Sequence, residues 1–399
     1  MQHRIIVLGA GYAGAIAAGR LAKRLRHQDV AITLVNAEPD FVERVRMHQL
    51  ATGQSLQPRP FSEMFAGTGV ELRIGRVTGV DVDRKTVTVG GSAELAYDTL
   101  VYALGSAWNA HEVPGAAERA YDIASRPGAL RLRERLARLE AGQTVVVVGG
   151  GLTGLEAATE IAEARPDLDV GLVARGGLGD WLSAKGREHL RKVCGKLGIT
   201  VYEHTAVTTV EADRVTTAAG VAIPAAVTVW TAGFAVHPIA RETSLAVTGT
   251  GQIMVDATMR SVSHPDVYAV GDAAFAIGAA DKPLRMSCAS GVPMAWQAAD
   301  SIAARLTGGK LPKAPLRYFN QCISLGRKEG LIQYVTADDR AVPAALTGRL
   351  AAAYKELVCK GAAWGVANPT LGLPTRRRGV APTQAAARSA VEKLGSRVD

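Results

Sequence analysis

Two glycine triplets constrain this chain more than anything else in it. In RIIVLGAGYAGAIAAGRLAKRL an apolar run turns at Gly9, Gly11 and Gly14 and continues as an alanine-rich helical stretch. TVVVVGGGLTGLEAATEIAEA repeats the arrangement at Gly149, Gly151 and Gly154. A GxGxxG alone says little, but each copy lies between a strand and a helix and is followed by a second apolar run, VAITLVNAE or DVGLVA. In that setting the first glycine turns the chain, the second lets the backbone approach a pyrophosphate, and the third lets helix and strand pack closely. The helix start adds free N–H groups and a partial positive charge for the phosphates. Two complete copies, 140 residues apart between Gly9 and Gly149, predict two dinucleotide sites on one chain.

The bulk numbers agree with that reading. A chain of 399 residues is too long for one ordinary core, and 48% hydrophobic with 21% charged residues is a globular composition. The 43 glycines, many at the ends of valine-rich runs, favour an α/β protein. A net charge of +9 fits an anionic partner: nucleic acid, a membrane surface or a phosphorylated cofactor. Nucleic acid is disfavoured, because aromatics are 5% and no dense basic tract carries them. Cys194, Cys288, Cys322 and Cys359 form no CxxC pair, so neither a metal site nor a disulfide framework is expected, and a reducing cytoplasm fits best. MQHRIIVLGAG runs straight into a strand without a signal-peptide layout, and no apolar run approaches the roughly 18 residues of a membrane span.

YDTLVYALGSAWN, a strand ending at Gly105, and DVYAVGDAAFA, a strand ending at Gly271 and Asp272, complete a recognisable order. With them the chain resembles the two-dinucleotide-binding-domain flavoproteins. VTVWTAGFAVHP, with Gly233, matches the segment that closes the nicotinamide domain, and GSAWNAHEVPGAAERA followed by an arginine- and leucine-rich helix is most similar to the type II NADH dehydrogenases and their apoptosis-inducing-factor-like relatives. HQLATGQ, from His48 to Gln54, resembles the stretch beneath the flavin, whereas the CxxxxC of the disulfide reductases is absent from the first domain. The resemblance covers roughly residues 1 to 310. It implies two Rossmann-like domains, FAD on the first fingerprint and NADH or NADPH on the second. The FAD domain is expected to be discontinuous, 1–118 and 246–310, around an NAD(P)H domain at 119–245. The helix SRPGALRLRERLARLEAG, with Pro127 near its start, links the two. Residues 311–399 form a small α+β C-terminal region.

The site residues follow from the same resemblance. FAD is expected on Gly9, Gly11, Gly14, Gly105, Gly271 and Asp272, with Asn36, Ala37 and Glu38 where an acidic residue ordinarily meets the ribose; the Asn36 amide can bond a ribose hydroxyl in its place. The nicotinamide dinucleotide is expected on Gly149, Gly151, Gly154, Gly233 and Arg175. Arg175 stands 26 positions after Gly149, where a carboxylate would select NADH; an arginine accommodates a 2′-phosphate, which favours NADPH. Hydride passes to the flavin, which performs the chemistry. Glu156 is the residue that similar flavoproteins place near flavin and nicotinamide. In GVPMAWQAADSIAARL, Pro293 is expected at the first helical position, with the helix N-terminus aimed at the flavin. Quinone-reducing relatives carry AQxAxQ here; VPMAWQ keeps Ala295 and Gln297, but Pro293 replaces the first glutamine. Gln297 is therefore the second candidate catalytic residue, and no metal is required.

The leading acceptor is a quinone or similar organic molecule. A soluble biosynthetic or ferredoxin-type reductase, and a slowly turning-over NAD(P)H-binding redox sensor, are the alternatives. In RLAAAYKELVCKGAAWG, Leu350, Tyr354, Leu357, Gly361 and Trp364 share one helix face. That face either lies on anionic lipid, as a peripheral membrane contact helped by Arg376, Arg377 and Arg378, or packs on the body or on a second copy in a homodimer. Three basic residues fall short of a lipid-binding cluster, so packing is the expectation.

Overall fold

The computed structural model describes residues 2–110, 113–313 and 315–381. The chain opens with β1 (His3–Leu8), α1 (Tyr12–Arg24) and β2 (Val30–Asn36), then a short helix α2 (Met47–Ala51) and strands β3 (Val70–Ile74), β4 (Thr99–Tyr102) and β5 (Ser106–Trp108). The second unit runs β6 (Tyr121–Asp122), α3 (Arg126–Ala137), β7 (Thr144–Val148), α4 (Leu152–Ala164), β8 (Asp169–Val173), β9 (Thr200–Tyr202), β10 (Val227–Trp230) and β11 (Phe234–Val236). The chain then returns through β12 (Val267–Ala269) and the helix α5 (Cys288–Thr307). It closes with β13 (Asn320–Ser324), β14 (Gly330–Val335), β15 (Ala341–Thr347) and the helix α6 (Arg349–Ala367).

Two parallel sheets result. The first has the order β12-β4-β1-β2-β3 and the second β9-β8-β7-β10-β6. Their central strands are buried along IIVL (5–8) and VVVV (145–148), as strands covered on both faces must be. β5 pairs antiparallel with β11 and joins the two units. In α1 and α5, which pack along each other, Ala15, Ala17, Ala18, Ala295, Ala298 and Ala299 are buried, side chains small enough for close helix approach.

The fingerprint glycines divide by role. Gly9 and Gly149 turn the chain at φ +88° and +127°, backbone that side chains rarely adopt. A Cβ on Gly14 would lie 1.8 Å from the Gly9 carbonyl oxygen, and one on Gly154 1.8 Å from that of Gly149. Gly11 and Gly151 have no protein atom within 4 Å of where a Cβ would stand.

Two sequence expectations shift. α3 begins as expected, with Ser125 capping it and Pro127 in its first turn, but α5 starts earlier. Ser287 caps it, so Pro293 lies inside the helix rather than at its start. α6 is turned the other way round from a packed amphipathic helix: Leu350, Leu357 and Trp364 are 73%, 67% and 50% exposed, while Ala351, Cys359, Ala363 and Val366 are buried. Ion pairs, not apolar contacts alone, hold its inner face. Arg46 donates to both Glu356 carboxylate oxygens at 2.9 Å, and Lys355 points inward.

Candidate active site

One continuous cavity of about 1340 Å³ runs between the two sheets, larger than the roughly 300–1,000 Å³ of a single-ligand pocket. Ala10, Gly11, Asn36, Ala37, Glu38, Gly105, Gly271 and Asp272 line one arm, and Gly149, Gly151, Glu156, Arg175 and Gly233 the other. Gly9, Gly14 and Gly154 stand behind the wall, where they shape the turns. The open space over Gly11 and Gly151 sits at the starts of α1 and α4, neither of which has a side-chain cap or an acidic residue in its first turn. Unfilled N–H groups and a bare cradle at both places fit two pyrophosphates.

In the first arm, the Asn36 amide is already engaged. Its Oδ1 accepts from the Ala10 N–H at 2.9 Å and its Nδ2 donates to the Glu38 carbonyl at 2.8 Å. Asn36 therefore braces the fingerprint turn, and the exposed Glu38 carboxylate lines the same arm. Asp272 accepts from Ser106 Oγ at 2.6 Å, and Arg44, which also donates to Ser106 Oγ at 3.1 Å, lies 3.6 Å from it over the Phe234 ring. Sequence reading had not singled out Arg44, a cation in this wall suited to a phosphate-bearing ligand.

In the second arm, Arg175 is exposed to the cavity and makes no ion pair among the described residues. The two carboxylates that bond the loop after it are taken. Asp180 accepts the Gly177 N–H at 2.7 Å, and Glu203 accepts the Leu178 N–H and pairs with Arg191.

Where the arms meet, Glu156 is buried against Lys355, which reaches in from α6. Lys355 Nζ lies 2.9 Å from Glu156 Oε1 and 3.1 Å from the Cys322 carbonyl. The Ser324 N–H donates to the same oxygen at 3.1 Å, and His48 Nδ1 stands 3.9 Å from Oε2. Burial alone would raise the Glu156 carboxyl, but Lys355, His48 and Ser324 outweigh it and hold it below the ordinary carboxylate range. Burial opposes the charge on Lys355 too; Glu156 overcomes it and raises the ammonium. His48 is pushed down to about 4 by burial, so its ring is neutral at physiological pH. Lys355 and His48 were invisible as partners because they lie 199 and 108 positions from Glu156.

Cys288, Cys322 and Cys359 also line this region. Burial raises all three thiols, Cys322 to about 11, so they are poor nucleophiles. The N-terminal residues of α5, Ser287 to Ala289, border the same space. Gln297 does not: it is buried outside the cavity wall and donates to the Ala257 carbonyl at 2.9 Å.

A family model described as pyridine nucleotide-disulphide oxidoreductase matches residues 3–303. An NADH dehydrogenase-like protein of Mycobacterium tuberculosis is 29% identical over 81% of this chain and 86% of its own length. The demethylphylloquinone reductase of Synechocystis is 27% identical over 87% of this chain and 90% of its own. Among solved structures, the sulfide:quinone oxidoreductase of Aquifex aeolicus shares the fold with a TM-score of 0.78 at 18% identity, covering 96% of this chain and 98% of that one.

Proposed function

The chain belongs to the pyridine nucleotide-disulphide oxidoreductase family, an FAD-dependent oxidoreductase fed by NADH or NADPH, and we propose that it takes its hydride from NADPH in preference to NADH and reduces a quinone at a membrane surface. The observation that carries this reading is the single cavity that joins both glycine fingerprints to a Glu156–Lys355 pair beneath an outward-facing apolar helix.

FAD, when bound, accepts a hydride and releases its electrons to a second acceptor. The protein's own part is positional and electrostatic. Gly11 and Gly151 leave room for the pyrophosphates, and α1 and α4 offer them N–H groups. Arg175 supplies a cation, and no competing carboxylate, where the 2′-position of a donor ribose is expected. Lys355 presents N–H donors at the cavity wall to an acceptor carbonyl, and Glu156 keeps it charged. Val358, Cys359 and Ala362 of α6 line the same wall. Leu350, Leu357 and Trp364 stand on the helix's outer side, with Arg349 and Lys360 flanking them. An apolar face rimmed by cations suits the surface of an anionic bilayer, from which a quinone would enter. No helix among the described residues is long and apolar enough to cross a membrane.

Anaerobic stopped-flow mixing with NADPH or NADH, followed by menadione, tests the reading. Arg175→Ala should raise the Michaelis constant for NADPH by about 10-fold or more, the worth of a charge-assisted hydrogen bond, and leave that for NADH nearly unchanged. Equal effects on both donors would remove the NADPH assignment, and failure of menadione to reoxidise the wild-type enzyme would remove the quinone.

A further inference from the structure

One turn beyond Glu156 on α4, Glu160 is 1% exposed, and its Oε2 is a buried oxygen without a hydrogen-bond partner. Its Oε1 accepts from Gln54 Nε2 and lies 3.3 Å from Arg327 Nε. Glu163, a further turn along and partly exposed, accepts the Arg327 backbone N–H. Residues 156, 160 and 163 fall on one helix face. They form a column of three carboxylates from the cavity wall to the protein surface.

The groups facing Glu160 are few. Its own helix presents Glu156 and Glu163, the turn after α2 presents Gln54, and the turn after β13 presents Arg327. His48 and Lys355 are directed to Glu156. The strands beneath α4 contribute the buried Val145, Val147, Val170 and Leu172. An anion here would keep one buried oxygen bare and face two further carboxylates against one cation at 3.3 Å, an arrangement that favours the protonated acid.

We propose that Glu160 holds the proton that resupplies the Glu156–Lys355 pair, in a column filled from the surface at Glu163 and Arg327. The inference rests on the quinone reading. Reducing a quinone to a quinol forms two O–H bonds with two electrons and two protons, whereas a hydride carries two electrons and one proton. The remaining proton comes from solvent. As the second O–H bond forms, a Lys355 N–H bond breaks; the Glu160 O–H bond then breaks to reprotonate the pair through Glu156, and Glu160 regains a proton from the surface. The neutral His48 ring and Ser324 Oγ, 3.2 Å apart, with the hydroxyl 3.3 Å from Glu156 Oε1, surround the inner end with groups that donate and accept. Burial, assisted by Glu163 and Glu156 and opposed by Arg327 and Gln54, raises the Glu160 carboxyl to about 7, so it can both hold and release a proton near neutrality.

Two measurements on the FAD-loaded protein test this. Infrared titration of the oxidised wild type should show a buried carboxylic-acid band disappearing as pH rises through about 7, and Glu160→Gln should lack it. Single-turnover reoxidation of the NADPH-reduced enzyme by menadione should slow about 100-fold in Glu160→Gln, the scale of a lost proton donor, with its decline at alkaline pH abolished. Reoxidation by ferricyanide, which takes electrons without protons, should keep its rate. Equal slowing with both acceptors, unchanged menadione kinetics, or a wild type with no such band would each overturn the proposal. The wild-type titration decides the matter even where Glu160→Gln fails to fold. A wild type that ferricyanide reoxidises and menadione does not would instead overturn the quinone reading, and the infrared titration would then decide the column alone.

Discussion

Replacing Lys355 by methionine removes the only ammonium among the described residues within hydrogen-bonding distance of Glu156 and leaves the carboxylate buried. The pair is 2.9 Å apart, with side chains 13% and 11% exposed. Breaking a buried ion pair from one side costs about 3–5 kcal/mol, because the surviving charge keeps its desolvation penalty without its partner. In the wild type the Glu156 carboxyl is held below its ordinary value, so its contribution to stability is present above the unfolded pKa and lost as pH falls through the folded one. In Lys355→Met burial is no longer offset by Lys355, and the carboxyl rises. The deficit relative to wild type should thus be smallest below the ordinary carboxylate range, where both proteins carry the protonated acid, and grow as pH increases towards 8. Adding Glu156→Gln should recover most of it, since the neutral amide leaves no uncompensated charge. Urea unfolding of the FAD-loaded proteins at several pH values, followed by flavin fluorescence and circular dichroism, reads these differences. A deficit under about 1 kcal/mol that does not change with pH, or a double variant no more stable than Lys355→Met, would refute the buried pair.

Three other outcomes are expected. Gly14→Ala should prevent the first unit from folding, since its Cβ would stand 1.8 Å from the Gly9 carbonyl oxygen; Gly11→Ala should fold but lose FAD on gel filtration, because its Cβ enters only the cradle. His48, with its folded pKa lowered to about 4, favours the folded protein above its ordinary value of 6.5; that contribution should fade as pH falls from 6.5 to about 4, and His48→Gln should flatten this part of the stability profile. Leu357→Ser with Trp364→Ser should reduce co-sedimentation with vesicles containing anionic phosphatidylglycerol, at unchanged NADPH-dependent flavin reduction, because both side chains are on the outer face of α6.

The two βαβ units were legible in the sequence because their determinants are local. A strand of valines, a glycine at positive φ and a helix beginning on a glycine lie within about twenty residues of one another, and the resulting turns hold Gly11 and Gly151 against one cavity. Arg175 was legible for the same reason: its address follows from counting along a βαβ unit. A proline marked the start of α3, where Pro127 lies in the first turn, but misled at α5, where Pro293 suggested a later start than the Ser287 cap sets.

What pairs with what was decided only by the tertiary structure. Asn36 has the chemistry to meet a ribose, but the Ala10 N–H and the Glu38 carbonyl are nearer and occupy both ends of its amide. Gln297 has the right spacing on its helix, yet the rotation of α5 turns it to the Ala257 carbonyl. α6 shows the limit most plainly. Its periodicity identifies an apolar face, and periodicity by itself favours burying that face. The buried Glu156 instead draws Lys355 inward, Arg46 draws Glu356, and the apolar face is left outside. Local sequence thus determined the elements and the two places where phosphates can sit. Long-range charge pairing, which no window of sequence contains, decided which side chain meets Glu156 at the cavity wall.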